Sequence, residues 1–144
     1  MRVDFYQLSR DPAETALPLL ARATLRAGER MLVVARDDAL LERISRGLWS
    51  LPGTFLANGR AGEGAEDRQP VLLSNEPVAG NGARYIAFAD GDWRDEAAGF
   101  ERVFLLFDER SVANARQVWR GLRAREEVER RYWKQEGGRW IEAG

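Results

Sequence analysis

A chain of 144 residues, 44% hydrophobic and 31% charged, has the profile of one domain able to bury a core. It contains no cysteine and no histidine, which excludes disulfides, thiol nucleophiles, Cys/His zinc sites and histidine-based catalysis. A net charge of −1 excludes a molecule that holds nucleic acid by overall charge alone.

The opening run Val3 to Leu8 alternates and is rich in β-formers, so it reads as a strand. Asp11-Pro12 reads as a cap and first helical position, followed by a helix from Ala13 to Ala27 that Gly28 ends. Ala16, Leu17, Leu20, Ala21, Thr24 and Leu25 make its inner face, and Pro18 lies early enough to be tolerated. Arg30 to Ala35 is a continuous apolar strand of the parallel-sheet type. Asp37 or Asp38 caps a second helix running to Trp49, with Leu40, Leu41, Ile44 and Leu48 inward. Strand, helix, strand, helix at this spacing is the βαβ signature.

Ser50 to Pro70 holds four glycines and few strong formers, and it reads as a long loop. Trp49, Pro52 and Phe55 begin it, either tucked into the core or offered to a partner. The run Gly59 to Gly64 lacks the spacing and the Lys-Ser/Thr of a phosphate loop. Val71 to Ser74 and Arg84 to Ala89 are short strands. An acidic stretch, Asp90 to Glu101, leads into Val103 to Phe107, a strand buried on both faces. Asp108 or Ser111 caps a last helix, with Val112, Ala115, Val118, Trp119 and Leu122 on one side. Val128 to Gln135 reads as a late strand, and Arg139 to Glu142 pairs back on it as a hairpin across Gly137-Gly138. The expected fold is a single three-layer α/β/α domain over residues 1–144, with a mostly parallel, Rossmann-like sheet. No apolar run approaches a membrane span and MRVDFYQL lacks a signal-peptide core, so a cytoplasmic protein is expected.

Charge is unevenly placed. Ser111 to Lys134 carries seven basic residues against three acids, whereas Asp90 to Glu101 carries five acids against Arg94. On the last helix Arg116, Arg120 and Arg123 form a stripe beside the apolar face, with Trp119 on the border. A large aromatic flanked by guanidinium groups suits a ligand both acidic and apolar. The plain alternative is an amphipathic helix with a solvated basic face.

The chain resembles the chi subunit family of the bacterial DNA polymerase III holoenzyme. The likeness rests on an ordered set: the VDFY strand, Gly28-Glu29-Arg30 before RMLVVA, and Leu48-Trp49 leading into a loop with Phe55 and Ala61-Gly62-Glu63-Gly64. Ala115-Arg116 through Trp119-Arg120 and Tyr132-Trp133-Lys134-Gln135 complete it. The resemblance implies a non-catalytic adaptor without cofactor or metal. It would bridge the clamp loader, through the psi subunit, to the acidic C-terminal tail of single-stranded DNA-binding protein. Carried over by position, Arg116 and Arg120 would meet the tail's carboxylates, with Arg123 or Arg110 in support. Trp119 would line the pocket for the tail's terminal aromatic residue, and Leu105 would help floor it. Val112 stands where family members can carry a basic residue. Trp49, Pro52 and Phe55 match the surface for psi and, in some members, a helicase. Neither a membrane nor direct DNA binding is implied.

Two other readings follow from the residues. The basic C-terminal helix could bind single-stranded nucleic acid directly, with Trp119, Tyr132 or Trp133 stacking on bases. Asp90 and Asp92 at a strand end could hold Mg²⁺, although clustered aspartates in loops are commonly turn and cap residues.

Overall fold

A computed structural model describes residues 1–53, 56–136 and 139–143. Eight strands and three helices follow in order: β1 (Arg2–Gln7), α1 (Ala13–Arg26), β2 (Met31–Val34), α2 (Asp38–Ser50), β3 (Asn58–Arg60), β4 (Val71–Ser74), β5 (Tyr85–Phe88), β6 (Arg102–Phe107), α3 (Val112–Arg123), β7 (Glu129–Glu136) and β8 (Arg139–Glu142). Short 3₁₀ turns occupy Glu66–Arg68 and Asp95–Gly99. The strands form one sheet in the order β3-β4-β2-β5-β6-β1-β7-β8, parallel throughout except for the antiparallel pair β7-β8.

The sheet is covered on both sides, as its continuous apolar strands require. On one face α1 and α2 pack Leu17, Ala21, Leu41, Ile44 and Leu48 against Val33, Leu73, Leu106 and Tyr6. On the other, α3 and the 3₁₀ turn at Asp95–Gly99 pack Ala115, Leu122 and Ala97 against Phe5, Val34, Phe88, Leu105 and Phe107. The three-layer, mostly parallel α/β architecture is therefore present.

Several local expectations are corrected. Asp11 does not cap α1; Pro12 occupies that position without a side-chain bond, and the Asp11 carboxylate accepts from the Gln135 amide. Asp37 caps α2 by accepting from Ala39 N–H at 2.9 Å. Neither side chain proposed for α3 caps it: Ser111 stands at the cap without a side-chain bond to the helix, and Asp108 accepts from Arg110 N–H. The stretch from Ser50 to Pro70 is not all loop, because Asn58–Arg60 adds β3 to the sheet edge in register with Val71–Leu73.

α1 and α2 meet at one close point. A Cβ on Gly47 would lie 2.5 Å from the Glu14 carbonyl oxygen and 3.3 Å from Pro18 Cγ. Pro18 has no N–H, so the Glu14 carbonyl lacks its usual helical donor. Glycine lets the second helix lie against that bare carbonyl.

A buried carboxylate ties β1 to its neighbours. Asp4 is 0% exposed. It accepts from Arg2, from Arg102 Nε at 2.9 Å and from Trp133 Nε1 at 3.0 Å, so β1, β6 and β7 are joined through one side chain. Two guanidinium groups and an indole satisfy the lone pairs that burial would otherwise strand.

Candidate functional site

Helix α3 crosses the sheet face formed by β6, β1 and β7. Its inward residues are Ala115 and Leu122, with Val112, Val118 and Trp119 half-buried at the margin. Its outward stripe Ala113, Arg116, Gln117 and Arg120 lines a shallow open groove of about 360 Å³. That stripe follows the three- and four-residue spacing of one helix face. Arg116 and Arg120 thus share one surface, and Arg123 is exposed at the C-terminal end of α3. Val112 packs inward instead of lining the groove, and Leu105 is fully buried in β6 beneath the helix.

Trp119 stands at the edge of this surface among other rings. It meets Phe5 edge-on at 5.1 Å and Tyr132 of β7 edge-on at 5.7 Å. The guanidinium carbon of Arg130 lies 4.2 Å from the centre of the Trp119 ring, and Arg130 Nη1 donates to the Trp119 carbonyl at 2.7 Å. The Tyr132 hydroxyl donates to Gln7 Oε1. Burial raises the Tyr132 pKa, and the nearby positive charge of Arg116 pulls the other way. Arg116, Trp119, Arg130 and Tyr132 therefore form one neighbourhood built from α3 and β7. Alternation along β7 places both Arg130 and Tyr132 toward α3.

Among the described residues, Arg116, Arg120, Arg123 and Arg130 make no ion pair with a carboxylate. Several arginines elsewhere do pair with a carboxylate. Arg125 is taken by Glu127, Arg131 by Glu129, and Arg94 by Asp90.

The second predicted surface is on the opposite side of the sheet. Trp49, near the end of α2, is 46% exposed, and Pro52 is exposed just beyond it. Phe55 lies outside the described residues. The structure brings Trp49 and Pro52 near one helix end and keeps them apart from α3.

A larger crevice, about 710 Å³, opens at the carboxyl ends of β1, β2, β5 and β6. Parallel sheets commonly bind ligands at such places. Here the carboxylates around it already have partners. Glu14 pairs with Arg43, Asp37 caps α2, and Asp90 takes a two-pronged bond from Arg94 at 2.8 and 3.0 Å. Burial opposes ionisation of Asp90, but Arg94 and the Arg36 N–H outweigh it and hold its pKa below the usual range. Asp92 pairs with Arg36. The two aspartates that could have held Mg²⁺ are thus bound by arginines. Among the described residues no group of three acidic side chains is placed to hold a metal ion, and no helix is long and apolar enough to cross a membrane.

Comparison with curated proteins returned no match. The family model for the DNA polymerase III chi subunit, HolC, matches residues 1–128, which include both helices of the α1/α2 layer, all of α3 and every strand but β7 and β8. The chain therefore belongs to the chi subunit family, and its role is that of an accessory subunit of DNA polymerase III.

Proposed function

We propose that this accessory subunit is a non-catalytic adaptor with two docking surfaces. The α3/β7 surface takes the acidic C-terminal tail of single-stranded DNA-binding protein, and the α2 surface around Trp49 and Pro52 takes psi within the clamp loader. One observation carries the first assignment: Arg116 and Arg120 on α3 and Arg130 on β7, none of which pairs with a carboxylate among the described residues, share a surface with the half-buried Trp119, over whose ring Arg130 lies. A tail that is acidic along its length and apolar at its end matches a surface of that composition. Each charged contact contributes about 1.5–3 kcal/mol. Two arginines and an aromatic edge then give micromolar affinity, which is useful where many tails on one DNA strand multiply it.

Direct binding of single-stranded nucleic acid fits this surface less well. Base stacking needs an open aromatic face. Trp119 carries Arg130 over its ring, and Trp133 is stacked on Tyr6 at 6.1 Å.

Fluorescence anisotropy of a labelled acidic tail peptide tests the reading. Saturable micromolar binding is expected for the unaltered chain and is lost in Arg116→Glu. Binding unchanged in that variant removes the α3 surface from the proposal, and tight binding of an oligonucleotide without partner protein replaces it with the nucleic-acid reading.

A further inference from the structure

The chain holds two Asn-Gly pairs, Asn58-Gly59 and Asn81-Gly82. Asparagine is a thermolabile residue. The backbone nitrogen of the next residue attacks its side-chain Cγ, the nitrogen's proton and the amide group leave as ammonia, and water opens the cyclic imide to aspartate or isoaspartate. A following glycine favours the attack, because it has no side chain to hinder it and adopts conformations closed to other residues. Both asparagines are buried, at 8% and 4% exposure, so the attack requires the local structure to open first. Their settings differ. Asn81 Nδ2 donates to the Met31 carbonyl at 3.2 Å and to the Gln69 carbonyl at 3.0 Å, and its Oδ1 accepts from Ala83 N–H. The attacking nitrogen there, that of Gly82, is itself bonded to the Ala79 carbonyl. Met31 opens β2, a strand with neighbours on both sides. Asn58 opens β3, a three-residue strand at the sheet edge beside β4. Its Nδ2 donates to the Leu56 carbonyl at 3.0 Å, and its Oδ1 accepts from Ser45 Oγ of α2 at 2.6 Å.

We infer that Asn58-Gly59 is a site of spontaneous deamidation in the folded chain, and that the fold protects Asn81-Gly82. Freeing Asn58 breaks the short pairing of an edge strand and the bond from Ser45, whereas freeing Asn81 unfastens the start of a central strand. The products differ as well. Aspartate at position 58 still accepts from Ser45 Oγ and loses one donor bond. Aspartate at position 81 sets a carboxylate against two carbonyl oxygens that the amide had bonded. The pair that opens is therefore the one whose modified chain stays folded. Isoaspartate at position 58 lengthens the backbone inside β3 and ends its register with Val71–Leu73. β3 is the element that follows α2, so the altered strand adjoins the helix end that carries Trp49 and Pro52.

The test incubates the full chain in mildly alkaline buffer, once folded and once in concentrated urea, and follows both pairs by peptide mapping with mass spectrometry. In urea the two should react at similar rates, since each asparagine precedes a glycine. In the folded chain Asn58 should react faster than Asn81 by about tenfold or more, the separation expected between opening a sheet edge and opening a central strand. Asn58→Asp and Asn81→Asp give a second measurement, in which the urea midpoint should fall further for Asn81→Asp. A folded-state ratio that matches the ratio in urea, or one with Asn81 ahead, overturns the inference. So does an Asn58 that stays intact in the folded chain while both pairs convert in urea. A larger fall in midpoint for Asn58→Asp than for Asn81→Asp overturns the claim that the fold survives the reaction at its edge.

Discussion

Trp133 Nε1 donates to Asp4 Oδ1 at 3.0 Å, linking side chains that are 129 positions apart in the chain. The same carboxylate also holds Arg2 and Arg102, whose side chains are 30% and 26% exposed. Asp4→Asn should therefore destabilise the fold by about 2–3 kcal/mol, below the cost of breaking a fully buried pair because both arginines can regain water. The check is a lower urea midpoint with an unchanged slope. A loss under about 0.5 kcal/mol, the range of ordinary surface changes, would show that the cluster contributes nothing to stability.

Two helical glycines should respond to alanine with opposite signs. Glycine inside a helix ordinarily costs about 0.5–1 kcal/mol relative to alanine. Gly121 in α3 has nothing within 4 Å of an added Cβ, so Gly121→Ala should stabilise by that amount. At Gly47 the Cβ would meet the Glu14 carbonyl oxygen at 2.5 Å, so Gly47→Ala should destabilise by about 1–3 kcal/mol as the helices are pushed apart. Thermal melts of both variants, side by side, give the comparison.

Tyr6 sets an alkaline limit. It is 7% exposed, and burial, reinforced by Asp4, pushes its pKa from 10.0 up to about 12. A phenol harder to ionise in the folded state contributes its full share of stability below the unfolded pKa of 10.0, and that share disappears as pH rises through about 12. The fall over this window should be on the order of 2–3 kcal/mol, at 1.36 kcal/mol per unit. Tyr6→Phe should flatten the stability profile between pH 10 and 12. Urea unfolding across that range, in the unaltered chain and the variant, measures the difference.

The two proposed docking surfaces should act independently. α2 lies on one face of the sheet and α3 on the other. Trp49→Ala should therefore abolish pairing with psi while leaving the affinity for an acidic tail peptide within about twofold, because distant sites with no shared partner are additive. A ternary complex should form in analytical ultracentrifugation, and competition between peptide and psi would refute the separation.

The elements were legible in the sequence because their apolar patterns are strong. Val103 to Phe107 could only be a strand covered on both faces, and the stripe Arg116, Arg120 and Arg123 was visible from helical spacing alone. β3 was not legible: Asn58-Gly59-Arg60 contains no strand former and is held by its register with β4. The Asp11 cap failed for a related reason, since a glutamine 124 positions away draws its carboxylate. The role of Arg130 was hidden in the same way. It becomes part of the site only when β7 lands beside β1 and brings Arg130 over Trp119, a placement that parallel crossovers do not announce in sequence.

β1 lies between β6 and β7, although it is made first. Its partners are Arg102–Phe107 on one side and Glu129–Lys134 on the other. During synthesis the first strand must therefore wait, with both edges bare, until most of the chain has left the ribosome. β2, β4 and β5 can pair earlier, because they lie between Met31 and Phe88. The half of the sheet that carries α3 is thus the last to close, and the long loops it must close slow its formation. A nascent chain stalled before β6 would hold β1 with both edges unpaired, open to mispairing with another chain.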